Sequence, residues 1–150
     1  MSAENRRLLL AIAAMLAIGG YLYTVKLGHS RDLGQWGAIN NDPAIREWYQ
    51  NLRQPDQPAA SCCGEADAYW ADEIHVRNGK VYAVITDDRP DAPRMRPHVP
   101  IGTEIEVPAQ KFKWGAGDTD PTPQRNPSGH GVIFLSRTWF VYCYVAPGGV

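Results

Sequence analysis

The sequence predicts a mainly β fold: a small antiparallel sheet or partly open barrel with one covering helix, preceded by a single N-terminal transmembrane helix. Three observations carry that prediction. Asn78-Gly79 stands between two runs that alternate apolar and polar residues, 74–77 and 81–86, which is the pattern of a tight hairpin. Two nearly continuous apolar runs, 132–135 and 139–145, close the chain and read as strands covered on both faces. Only one stretch beyond the N-terminus, 42–52, recurs with helical period.

The first element is the apolar segment 8–25, LLLAIAAMLAIGGYLYTV, which carries no charge and lies between Arg6-Arg7 and Lys26. At a rise of about 1.5 Å per residue it reaches roughly 27 Å, close to the hydrocarbon thickness of a bilayer, and Tyr21 and Tyr23 fall where interfacial aromatics belong. A removable signal peptide is the rival reading, because Ala17-Ile18-Gly19 imitates a small-x-small cleavage site. The continuation of the apolar stretch through Tyr23 and Val25 favours an anchor. The boundaries read as a cytoplasmic tail over 1–7, an anchor over 8–27, a linker over 28–41 and an exported domain over 42–150. The basic N-terminus keeps the tail inside, which in a bacterium means a single-pass inner-membrane protein with its C-terminal domain in the periplasm. Ala13, Ala14, Ala17, Gly19 and Gly20 permit close contact with other membrane helices.

The linker is short of apolar residues and contains Gly28, Gly34 and Gly37. A helix follows: Asp42 caps it, Pro43 fits its first turn, Ile45, Trp48, Tyr49 and Leu52 form its apolar face, and Pro55 ends it. After the Asn78-Gly79 hairpin, further strands are expected at 103–107, closed by Pro108, and at 111–114. Residues 115–131, GAGDTDPTPQRNPSGHG, read as a long surface loop. The terminal hairpin turns near 136–138 and forms the centre of the sheet.

Composition narrows the function classes. Net charge is −1, with no block of like charges, so neither a nucleic-acid groove nor an anionic-lipid patch is signalled. Setting aside Glu4, Arg6, Arg7 and Lys26 leaves 12 of the 15 basic and 15 of the 16 acidic side chains, a mildly acidic exported domain. The sequence contains no serine-centred elbow, phosphate-cradling glycine loop or dinucleotide fingerprint.

The three cysteines are the chemically richest feature. In an oxidising compartment they pair, and vicinal cysteines rarely bond to each other, so the expected bridge is Cys63–Cys143 or Cys62–Cys143. A remaining thiol beside a disulfide opens a thiol-redox reading, although a Cys-x-x-Cys motif is missing. A metal reading uses the same atoms: Cys62, Cys63 and Cys143 with His130 offer soft ligands suited to copper or zinc. His75 reads as a strand histidine facing solvent, while His29 and His98 fall in loops. Asp87, Asp88 and Asp91 mix with Arg89, Arg94 and Arg96 in a proline-rich stretch that reads as a solvated, internally paired loop. The acidic, aromatic segment around Glu65, Asp67, Tyr69, Trp70, Asp72 and Glu73 either caps the helix end or meets a partner.

The segments SCCGEAD at 61–67, GHGVIFLS and VYCYVAPGGV resemble a group of small exported alphaproteobacterial proteins without an assigned activity, over about two thirds of the chain. Many of that group have the form Ser-Cys-Cys-x-x-x-Asp-Cys, and here Ala68 replaces the last cysteine. If the group forms two disulfides, the resemblance implies that this chain forms one. The expectation for function is a non-catalytic accessory or structural subunit that docks on a larger inner-membrane protein complex through its membrane helix and periplasmic domain, with the lipid bilayer as its second partner and no nucleic acid. The alternative is a periplasmic copper- or metal-binding or thiol-redox protein.

Overall fold

The computed structural model describes residues 42–114 and 126–147. The expected tail, anchor and linker, residues 115–125 of the expected loop, and residues 148–150 lie outside the described residues. No helix among the described residues is long and apolar enough to cross a membrane.

Helix α1 (Pro43–Asn51) begins as its sequence dictates. The Asp42 carboxylate accepts from the amides of Ala44 at 2.9 Å and Ile45 at 3.4 Å, and Pro43 occupies a position where no donor is needed. The helix stops four residues before Pro55, where Leu52 turns to extended backbone while its amide still bonds the Trp48 carbonyl. Trp48 and Leu52 are buried.

Six strands follow: β1 (Asp67–Trp70), β2 (Glu73–Arg77), β3 (Lys80–Val84), β4 (Glu104–Val107), β5 (Val132–Leu135) and β6 (Val141–Val145). Asn78 and Gly79 join β2 to β3 with φ of 52° and 73°, the left-handed pair of a two-residue turn whose twist matches the strands it connects. The fold is mainly β as expected, but the strands form two open three-stranded antiparallel sheets, ordered β1-β5-β6 and β2-β3-β4, in place of one sheet or barrel. The cause is β1, which arises from the acidic segment and pairs along β5 with Tyr69 opposite Ile133. Three residues after Trp70 the chain has left that sheet and entered β2.

The first sheet is covered on both faces, which explains why all four residues of β5 are buried. Ile133, Leu135 and Tyr144 face Ala83, Ile105 and Val107 of the second sheet in one core. Val132, Phe134, Cys143 and Val145 face Trp48 of α1 and Leu52 just past its end in the other. A side chain such as Phe134 or Leu52, removed almost wholly from water, contributes about 1.5–3 kcal/mol. Buried tyrosines keep their hydroxyls bonded: Tyr144 donates to the Ala71 carbonyl at 3.0 Å and Tyr69 to that of Pro97 at 2.6 Å. Burial pushes both phenols up to about 12.

The edges of this sheet are closed by other parts of the chain. On the β1 side, Trp70 exchanges bonds with the Thr86 amide and the Asp87 carboxylate, and the Ala68 carbonyl accepts from Arg96. On the β6 side, residues 111–114 are not the expected strand. Lys111 ends a 3-10 turn (Ala109–Lys111), after which Phe112 bridges Tyr144 in parallel and the Lys113 amide bonds the Tyr144 carbonyl at 2.8 Å.

Candidate functional site: the cysteine cluster and the hairpin tip

The bridge joins Cys62 to Cys143, with Cα atoms 5.6 Å apart, and both residues are fully buried between α1 and β6. Of the two pairings the sequence leaves open, this is the one formed. Position explains it: the Cys62 amide bonds the Leu52 carbonyl at 2.9 Å, which turns this residue into the core beneath α1. Cys63 is half-buried and keeps its thiol, which donates to the Tyr49 carbonyl at 3.1 Å. Cys63 is therefore the more accessible of the three sulfur-bearing residues, whereas both bridged cysteines are fully buried.

The four residues considered as metal ligands are not assembled into one set. Two of the three sulfurs are consumed by the bridge, and His130 precedes β5 whereas Cys143 pairs with Phe134, four residues further, or about 13 Å along a strand. His130 instead stacks on Trp70, with ring centroids 3.8 Å apart and planes 12° apart, and its Nδ1 lies 3.1 Å from Asp72. Among the described residues, no group of three or more His, Cys, Asp or Glu side chains is placed to hold a metal ion.

Asp72 is a junction between the sheets. It also accepts from the Gly131 amide at 2.7 Å and the Thr86 hydroxyl at 2.9 Å. Burial would raise its pKa, but the hydrogen bonds from His130, Thr86 and Gly131 outweigh that and hold it below the usual carboxylate range. The Asp72–His130 contact, with the Gly131 and Thr86 bonds, ties the segment between β1 and β2 to the segments that precede β5 and follow β3.

The proline-rich stretch corrects the expectation of a solvated loop. Asp87 is buried, and its carboxylate is gripped by Arg96 at 2.6 Å and Arg89 at 2.5 Å. Arg96, itself buried, also bonds Asp91 and lies 4.5 Å from the Tyr69 ring centre, while Arg89 lies 4.1 Å from that of Trp70. Alternating signs in sequence here mark an internal clamp between this loop and β1. His75 is solvent-facing as expected and bonds Glu104 at 2.6 Å. His98 is exposed and bonds Asp91 at 2.7 Å, and His29 lies outside the described residues.

A concave surface lies at the tip of the β5–β6 hairpin. A groove of about 510 Å³ is lined by Glu65, Ser136, Arg137, Thr138, Phe140 and Tyr142. The tip is held rigidly: the Ser136 hydroxyl accepts from the amides of Thr138 at 3.1 Å and Phe140 at 3.0 Å, and the Trp139 amide bonds the Ser136 carbonyl. Phe140 is 55% exposed, packs edge-on against Tyr142 and lies 5.3 Å from the Lys111 ammonium. Trp139 is 45% exposed and holds φ at 65°. Left-handed backbone is strained for a bulky residue and inexpensive for glycine, so Trp139 holds its exposed indole at a conformational cost. Sequence reasoning assigned Trp139 and Phe140 to the strand. The signal available was the Ser136-x-Thr138 pair, whose hydroxyls favour a turn that displaces the aromatics to its end.

Compared with protein-family models, curated proteins and solved structures, the chain matches none.

Proposed function

We propose that this protein is a non-catalytic, membrane-anchored subunit of the bacterial inner membrane whose periplasmic domain docks on a larger membrane protein complex. The observation that carries the reading is the hairpin tip: two large aromatics, Trp139 and Phe140, stand exposed on a hydrogen-bonded turn beside a mixed-charge groove. Rigid aromatic anchors flanked by polar groups are the composition of protein-interface centres. The buried Cys62–Cys143 bridge supports an oxidising compartment, and the apolar segment 8–25 supports the anchor.

Extraction of membranes in mild detergent, followed by native electrophoresis, tests the reading. The wild-type chain migrates in an assembly much larger than itself, and the Trp139→Ala/Phe140→Ala variant leaves that assembly while keeping its bridge. Recovery of the wild-type chain solely in the soluble fraction, or solely as its own monomer or dimer, overturns it.

A further inference from the structure

Strand β2 differs from the edges of the first sheet. All five of its residues are exposed, and it forms the outer strand of the second sheet. The two-residue turn closes on Arg77 opposite Lys80, so the alternation of an antiparallel ladder aims the backbone groups of Arg77, His75 and Glu73 at β3. Those of Ile74 and Val76 point away, and among the described residues no backbone hydrogen bond satisfies them. Ile74 and Val76 lie on the face shared with buried Ala83 and Ile105, yet are 38% and 67% exposed, so the apolar face of this sheet runs past its core. An open edge beside an apolar overhang is a template for another strand.

The sequence of β2, Glu-Ile-His-Val-Arg, specifies that strand. Antiparallel pairing with a second copy about a two-fold axis at His75 sets Glu73 opposite Arg77 of the other copy at both ends. Ile74 then faces Val76 across the axis in the two hydrogen-bonded pairs, which together supply four new backbone bonds. Among the described residues Glu73 has no ion-pair partner within its own chain, whereas Arg77 bonds Glu104 and covers Tyr82 on the same face. The outer strand on the other side, β4, reads Glu-Ile-Glu-Val, and self-pairing there would oppose like charges. We infer that the chain forms a homodimer through antiparallel pairing of β2 with β2 of a second copy, giving a continuous six-stranded sheet. A single membrane anchor on each copy would favour this pairing by raising the local concentration.

The test measures the mass of the full chain in detergent, corrected for bound detergent, across a concentration series for the wild type, Glu73→Arg, Arg77→Glu, the double exchange, and an equimolar mixture of the two single variants. The expected result is a dimer for the wild type, dissociation constants at least about tenfold weaker for each single variant, and recovery in both the double exchange and the mixture, where opposite charges again face each other. All substitutions fall on exposed positions, and an unchanged far-ultraviolet circular dichroism spectrum with the Cys62–Cys143 bridge intact confirms folding. A monomeric wild type, a dimer indifferent to the single exchanges, or a double exchange as weak as the singles overturns the inference. This result is independent of docking at the hairpin tip, which the same variants leave untouched.

Discussion

Asp87 and Arg96 form a buried ion pair, with Oδ2 2.6 Å from Nη1 and side chains 0% and 2% exposed, and this pair fastens the loop between β3 and β4 to the edge of β1. Replacing Asp87 by Ala leaves a buried guanidinium short of its main partner. A loss of about 3–5 kcal/mol follows, measured as a shift in urea midpoint.

Acid lability has the same origin. Burial works to raise Asp87, but the hydrogen bonds from Arg89 and Arg96 dominate and hold it well below the usual range, and Asp72 and Asp91 are lowered as well. Groups lowered in the folded state contribute stability above the unfolded carboxylate pKa of about 4, and that contribution is lost as pH falls toward their folded values. Urea midpoints are expected to stay level from about pH 7 to 5 and fall below about pH 4. Asp87→Asn is expected to be less stable at neutral pH and to show a shallower acid slope. A steeper one would assign the lability to other groups.

The bridge closes a separation of 81 residues. On the chain-entropy model its removal costs about 4–5 kcal/mol. Cys143→Ala is expected to lose that amount in chemical denaturation, whereas Cys63→Ala, which removes a half-buried thiol, changes stability by less than about 1 kcal/mol.

Gly131 is required sterically. A Cβ built there would fall inside contact distance of the Ala71 carbonyl oxygen, the atom next in line to the Ala71–Gly131 backbone bond that ends the β1–β5 pairing. Gly131→Ala is expected to destabilise by about 3 kcal/mol or more, with the largest gain in amide exchange at Ala71 and Val132.

At the hairpin tip, stability and docking separate. Trp139→Gly relieves left-handed strain and is expected to keep or raise the melting temperature, by an amount equivalent to about 1 kcal/mol, while weakening association with the membrane complex. A drop in both would mean that the indole serves the fold.

Local signals made much of this fold legible. Asp42 and Pro43 marked the start of α1, Asn78-Gly79 marked the β2–β3 turn, and the unbroken apolar runs marked β5 and β6 as covered strands. The long-range bridge followed from the poor geometry of a vicinal one, but the choice of Cys62 depended on which of two neighbours faces the core under α1. The segment containing β1 hid its strand because four residues among acidic neighbours carry no period, and pairing with β5 decides its conformation. The Asp87–Arg96 clamp was hidden for a related reason: charges alternate identically in solvated and buried loops, and only tertiary packing removes the water.

A photo-reactive side chain placed at residue 139 of the intact chain in living cells tests the docking claim most directly, with the same probe at exposed Asp88 as the reference. The account predicts a discrete adduct with one membrane protein from position 139, absent from position 88. No protein adduct, or the same adducts at equal yield from both positions, would contradict it.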